Sequence, residues 1–153
     1  MAMRLIVADS DESILERCKE YCSLNGIAMR TARGGVECLA ELRRSTPDVL
    51  VLDAELPWGG GDGVLAVMGE DDSLARIPVV VLSRETGVAP GPGRFPPNVV
   101  GQLVKPLDVA TLLESATSAA DCGELFPRRP VIQRVPLTSP TRGPSAYQEL
   151  ASG

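Results

Sequence analysis

The chain has 153 residues, enough for one domain with a hydrophobic core, and an aromatic content of only 3% predicts a core of Val, Leu, Ile and Ala. The net charge is −5 without a basic block, so nucleic acid is not an expected partner. Because histidine is absent, Ser-His-Asp catalysis, Cys-His catalysis and most zinc sites are excluded. The sequence has no signal-peptide pattern, no apolar run of membrane-spanning length, and four cysteines without metal-type spacing. We therefore expect a cytoplasmic protein with no membrane partner.

The hydrophobic pattern alternates between short apolar runs and helical periodicity along the chain. Strands are predicted at 3–8, 27–31, 48–52, 78–82 and 99–104. Helices are predicted near 12–24, near 35–44, from Asp62 onward and near 108–120, with N-caps at Asp11, Asp62 and Asp108. Cys18 and Cys22 are predicted to fill the apolar face of the first helix rather than to form a bridge. This alternation is typical of a parallel sheet with helices on both faces.

Two stretches interrupt the alternation. Residues 84–98 contain four prolines and three glycines where a fourth helix is expected, so we predict a Pro/Gly-rich loop there. Residues 121–153 contain five prolines and are predicted to be an extended or disordered tail. The sequence therefore predicts one domain over 1–120, followed by a Pro-rich tail over 121–153.

Charged or hydroxyl side chains follow four of the predicted strands. Asp9 and Asp11 follow the first, Asp53 the third, Ser83 the fourth and Lys105 the fifth. The carboxyl ends of parallel strands share one edge of the sheet, which is where α/β proteins bind ligands. Carboxylates, a hydroxyl and an ammonium are the groups that Mg²⁺-assisted phosphoryl transfer to an aspartate requires.

Asp9-Ser10-Asp11, Asp53, Ser83 and Lys105-Pro106, each at a strand end and in this order, resemble the receiver domain of bacterial response regulators over residues 3–120. The resemblance implies an α/β fold, a flavodoxin-like, doubly wound (βα)5 sheet of five parallel strands. It implies that a sensor histidine kinase or a phosphotransfer protein donates a phosphoryl group. It also implies a signalling domain rather than an enzyme, with at most self-phosphorylation and self-dephosphorylation.

The same resemblance implies a role for each residue. Asp53 would be the phosphoacceptor, and Mg²⁺ would bind Asp9, Asp53 and the backbone carbonyl of Glu55, with Ser10 or Asp11 as a candidate further ligand. Lys105 would pair with the phosphoryl oxygens, and the Ser83 hydroxyl would donate to another of them. The Lys105-Pro106 bond would be cis.

Three features differ from the usual receiver pattern. Ser10 stands where a second acid is usual, Gln102 stands where a switch aromatic is usual, and the Pro/Gly loop stands where the fourth helix is usual. The sequence is therefore consistent with two functions. The first is a stand-alone receiver that is phosphorylated on Asp53 and acts on a downstream protein target by protein–protein contact. The alternative is a pseudo-receiver, a phosphorylation-independent protein-interaction module.

Overall fold

The computed structural model describes residues 3–57, 59–84 and 95–123. The strands within these residues are β1 (Arg4–Ala8), β2 (Ala28–Ala32), β3 (Val49–Asp53), β4 (Val79–Ser83) and β5 (Val99–Val104). The helices are α1 (Glu12–Leu24), α2 (Gly35–Ser45), α3 (Gly60–Gly69) and α4 (Val109–Gly123). All strand pairs are parallel, in the order β2-β1-β3-β4-β5, so the predicted doubly wound α/β fold is confirmed.

β3 lies at the centre of the sheet and is buried along its whole length. Its alternate residues enter two separate cores, because successive side chains of a strand point to opposite faces. One core packs the sheet against α2 and α3 through Cys38, Leu42, Val64, Leu65 and Met68. The other packs it against α1 and α4 through Leu15, Cys18, Cys22, Leu112, Leu113, Ala116 and Ala119. This double covering explains why β1, β3 and β4 read as continuous apolar runs.

The ends of α1 follow ordinary capping chemistry. The Asp11 carboxylate accepts a hydrogen bond from the Ser13 N–H at 2.9 Å, which confirms Asp11 as the N-cap. At the other end Gly26 has φ +70°, and the Ile27 N–H donates to the Cys22 carbonyl at 2.9 Å. This arrangement satisfies a terminal carbonyl and ends the helix.

The prediction that Asp62 caps α3 is wrong. The helix begins at Gly60 with Gly59 as its N-cap, which places Asp62 inside the first turn. Gly59 and Gly60 have φ +109° and +69°, a backbone region that glycine enters at little steric cost. The glycine run thus lets the chain turn and start the helix earlier than a side-chain cap would.

α4 also differs from its predicted range. Asp108 accepts a hydrogen bond from the Thr111 N–H at 2.7 Å, as expected for an N-cap, but the helix continues to Gly123, three residues beyond its predicted end. Most of the predicted tail, 124–153, lies outside the described residues. Each of the four described helices lacks the combination of length and hydropathy that crossing a bilayer requires.

β5 is an edge strand and is less buried than its neighbour β4. Gln102 and Val104 pair with Val81 and Ser83, which places them on the face that α2 and α3 cover elsewhere; both are exposed. Most of the predicted Pro/Gly-rich loop, residues 85–94, lies outside the described residues. Within the described part of the chain no helix separates β4 from β5.

Candidate functional site

The carboxyl ends of β1, β3 and β5 bring Asp9, Asp53 and Lys105 together. Asp9 follows β1 and is 0% exposed, whereas Asp53 ends the neighbouring β3 and is 2% exposed. The Lys105 Nζ lies 2.7 Å from Asp9 Oδ2 and 3.5 Å from Asp53 Oδ2. One ammonium therefore bridges two buried carboxylates that are 44 positions apart in sequence.

Backbone amides orient both carboxylates. Asp9 Oδ1 accepts from the Asp11 N–H at 2.9 Å, and Asp53 Oδ1 accepts from the Glu55 N–H at 3.0 Å. Each acid thus forms the same local turn, in which the amide two residues later binds one oxygen. The remaining Oδ2 atom of each carboxylate faces Lys105.

The charges at this site do not cancel. Two carboxylates and one ammonium would leave one negative charge in a buried position, which is costly without further compensation. Burial raises the pKa of Asp9 and the Asp53 charge adds to this effect, while Lys105 and the Asp11 amide oppose it. Among the described residues neither Asp9 Oδ2 nor Lys105 Nζ finds a well-directed hydrogen-bond partner, so charge holds the pair and both atoms retain capacity for a polar ligand.

Ser83 lies beside this cluster at the end of β4 and is half-buried. Its backbone carbonyl accepts from the Lys105 N–H at 2.8 Å, which ties the ends of β4 and β5 together. The Lys105-Pro106 peptide bond is cis, as the resemblance implied. The structure thus places the predicted hydroxyl residue on the strand between Asp53 and Lys105.

The two candidates for a further metal ligand are placed differently. The Ser10 side chain is exposed, whereas Asp11 is half-buried and its carboxylate caps α1. Glu55 is exposed, and its carboxylate lies 3.7 Å from the Arg84 guanidinium. The structure therefore brings Asp9, Asp53 and Lys105 into contact, but not Ser10.

The donor set fits Mg²⁺. In the described ranges no third acidic, cysteine or histidine side chain joins Asp9 and Asp53 to form a larger cluster. Mg²⁺ commonly uses only one or two protein carboxylates, completing its octahedron with waters and phosphate oxygens. A divalent cation would also offset the remaining negative charge, and the underused Asp9 Oδ2 is an oxygen donor of the required kind.

Sequence reasoning did not single out Gly61 and Arg84. A Cβ on Gly61 would lie 2.9 Å from both the Ala54 Cα and the Asp53 carbonyl oxygen, so α3 begins directly against the backbone of the central acid. The three consecutive glycines at 59–61 were the available signal for such a close approach. Arg84 follows Ser83 directly, but its ion pair with Glu55 depends on two loops meeting, which local sequence does not encode.

Comparison with known proteins gives one consistent result. The family model of the response regulator receiver domain matches residues 5–117. The response regulator MprA of Mycobacterium leprae is 31% identical over 114 residues, covering 72% of this chain and 48% of that protein. The transcriptional regulatory protein PrrA of Mycobacterium tuberculosis is 30% identical over 110 residues, covering 72% and 46%. The chain spans about half the length of these relatives.

Solved structures agree on the architecture. The signal receiver domain of a LuxO repressor protein from Vibrio parahaemolyticus superposes with a TM-score of 0.71 at 19% identity, covering 82% of this chain and 95% of that one. The chemotaxis response regulator CheY4 of Vibrio cholerae gives a TM-score of 0.68 at 22% identity, covering 78% and 99%. At these identities the likeness establishes the fold alone.

Proposed function

Since the chain belongs to the response regulator receiver domain family, we propose that it accepts a phosphoryl group on Asp53 and passes the signal on by protein contact. The observation that carries this proposal is the contact of Lys105 with two buried carboxylates at the edge of the sheet. A buried acid beside an ammonium and a second acid is a poor arrangement for stability alone, because one negative charge remains uncompensated. It is a good arrangement for receiving an anionic group together with a cation.

Asp53 would act as the nucleophile. The Glu55 N–H holds its Oδ1 and fixes the rotamer of the carboxylate, which leaves Oδ2 for the new bond to phosphorus as the bond from phosphorus to the donor breaks and the donor departs. Lys105 would pair with the arriving phosphoryl oxygens as a point charge, and the Ser83 hydroxyl would donate to one of them. Ser83 ends β4, the neighbour of β3, and Lys105 follows β5, the next strand along, so both side chains start at the same edge of the sheet as Asp53.

Asp9, Asp53 and the Glu55 carbonyl would hold Mg²⁺. When bound, the ion would neutralise charge between an anionic nucleophile and an anionic donor and help to hold them in line. Asp9 would act through its carboxylate, which the Asp11 amide already orients. With Ser10 neutral and exposed, we expect a weaker metal site than one with a further acidic ligand.

The phosphoryl donor would be a separate protein, because these 153 residues contain no histidine. We propose a sensor histidine kinase or a phosphotransfer protein in the cytoplasm, where the free thiols of Cys18, Cys22 and Cys38 remain reduced. For the output we propose a protein target rather than nucleic acid, since the chain is acidic with a sequence pI near 4.8.

Acetyl phosphate with Mg²⁺ tests the proposal directly. The expected result is a covalent adduct of about 80 Da in the intact mass, which is absent without Mg²⁺ and absent in Asp53→Asn. Circular dichroism of both proteins would verify that they are folded. A folded wild-type protein that gains no adduct, or an adduct that persists in Asp53→Asn, would overturn the assignment.

A phosphorylation-independent interaction module is the second candidate. The exposed Ser10 and the use of Asp11 as a helix cap favour it, because both reduce the donor set for a metal. Titration with Mg²⁺, with and without the phosphoryl mimic beryllofluoride, separates the two functions. A receiver binds Mg²⁺ and then beryllofluoride, with amide shifts around Asp53 that Asp53→Asn abolishes; an interaction module shows neither.

A further inference from the structure

An open groove of about 470 Å³ lies between α1 and α4, on the flank of the molecule away from Asp53. Tyr21, Ile27 and Leu113 contribute its apolar lining, and Asn25, Glu114 and Thr117 contribute polar groups. Leu113 is buried and Tyr21 and Ile27 are half-buried, whereas the polar members are exposed. The groove thus has an apolar floor and a polar rim, which suits an amphipathic segment of polypeptide.

Two features beside the groove indicate which kind of segment would bind there. Leu24 follows Tyr21 by three residues, so the two are neighbours on α1, and Leu24 is 80% exposed. On the opposite wall, Glu114 and Asp121 are exposed and seven residues apart, which puts both on one face of α4. An exposed leucine on the α1 side and a pair of acids on the α4 side would attract a segment with both apolar and basic residues.

The residues that follow α4 have this composition. Residues 125–132 read Leu-Phe-Pro-Arg-Arg-Pro-Val-Ile, which places two arginines between apolar residues. Residues 124–153 contain four arginines and two glutamates, a net charge of +2, whereas residues 1–123 carry the remaining 11 basic and 18 acidic residues, a net charge of −7. The segment and the domain are therefore complementary in charge as well as in apolar character.

The chain is also long enough to return to the groove. From Gly123 back to Leu113 is ten residues of α4, or about 15 Å at 1.5 Å per residue. An extended chain covers roughly 3.3 Å per residue, so the eight residues from Glu124 to Val131 can span about 26 Å. A short tether also gives a millimolar-scale effective concentration, so a weak contact suffices to populate the docked state.

We infer that residues 125–132 dock in the α1–α4 groove of the same molecule. Phe126, Val131 and Ile132 lie over its apolar floor, and Arg128 and Arg129 lie near Glu114 and Asp121. A partner that approaches this flank of the molecule then has to displace the segment. This docking is independent of phosphorylation at Asp53.

Paramagnetic relaxation in the full chain tests the inference. A nitroxide is attached at Gln133→Cys in a Cys122→Ser background, and a matched control carries it at Ser152→Cys in the same background. The expected result is a loss of amide signal at Tyr21, Asn25 and Thr117 with the label at 133, and none with the label at 152. The loss should not change on dilution, because the contact is intramolecular.

Substitutions outside the core locate the contact. Val131→Ser with Ile132→Ser, or Leu24→Ser, should restore the signals, whereas Leu137→Ser should not. Replacing Arg128 and Arg129 by glutamate, which reverses their charge, should also restore the amide signals. Signal loss that disappears on dilution would assign the groove to a second copy and overturn the inference. No loss at the groove, or loss spread evenly over the surface, would overturn it as well.

Discussion

Gly61→Ala and Gly63→Ala each add one methyl group near the start of α3, but we expect them to change the stability of the protein in opposite directions. Both glycines are helical and neither has positive φ. At Gly61 the added Cβ would lie 2.9 Å from the Ala54 Cα, 2.9 Å from the Asp53 carbonyl oxygen and 3.1 Å from the Ala54 carbonyl oxygen. At Gly63 no atom of the described residues lies within 4 Å of the added Cβ.

The magnitudes follow from these contacts. Replacing glycine by alanine in a helix stabilises by about 0.5–1 kcal/mol when there is room, which is the expectation for Gly63→Ala. For Gly61→Ala the obstructing atoms are backbone, so α3 or the β3–α3 loop must shift, and overpacking of this kind costs about 1–3 kcal/mol. After the helix gain is subtracted, Gly61→Ala should destabilise by up to about 2.5 kcal/mol.

Urea denaturation of the three proteins measures these values, with an unchanged m-value showing that the folded and unfolded states remain comparable. Since the obstruction at Gly61 includes the Asp53 carbonyl, labelling by acetyl phosphate should also slow in Gly61→Ala and not in Gly63→Ala. Equal stabilisation by both substitutions would refute the reasoning, because it would mean that α3 does not press on the backbone of Asp53.

Four further results are expected. Asp11→Ala should lose about 1 kcal/mol of folding free energy through its N-cap, whereas Asp11→Ser should retain it; if Asp11→Ser lowers Mg²⁺ affinity by calorimetry, Asp11 is a metal ligand as well as a cap. Asp53→Asn should raise the free energy of unfolding by on the order of 1 kcal/mol, seen as a higher urea midpoint, because it leaves one carboxylate for one ammonium; a lowered midpoint would contradict this charge balance. Burial raises the pKa of the Cys18 and Cys38 thiols to about 12, so iodoacetamide at pH 8 should alkylate neither in the folded protein, as peptide mapping would detect. Because unfolded thiols deprotonate near 9.0, the folded state binds more protons above that pH, and stability should fall as the pH rises from about 9 toward 12.

The site residues were predictable because parallel strands impose their own geometry. Once 48–52 and 99–104 are recognised as strands, Asp53 and Lys105 must end at the same edge of the sheet. The contact of Lys105 with the two acids themselves was not predicted, because the resemblance implied only a pairing of Lys105 with phosphoryl oxygens. The distances between Lys105 and the two acids could not be predicted, because they depend on the register of β4 with β5, which shifts between Val79 and Val80.

Other features needed three-dimensional information. The start of α3 was mispredicted because Asp62 is a good local cap, yet the preceding glycines allow an earlier turn and the contact of Gly61 with Ala54 fixes the helix in place. Sequence periodicity also gave no signal for the end of α4, where Asp121 and the two residues after it continue the helix into a predicted tail. At the start of α3 a tertiary contact thus overrides a local preference.

The acids and the lysine of the site are held by strands that differ in how deeply they are buried. Asp9 and Asp53 follow β1 and β3, which are interior and almost wholly buried, whereas Lys105 follows the partly exposed edge strand β5. Edge segments with few buried contacts open more often than the centre of a sheet. Each opening of β5 would withdraw the ammonium and leave two negative charges facing each other on an intact scaffold. We therefore expect local opening of this edge strand to affect how readily the two acids meet a cation from solution.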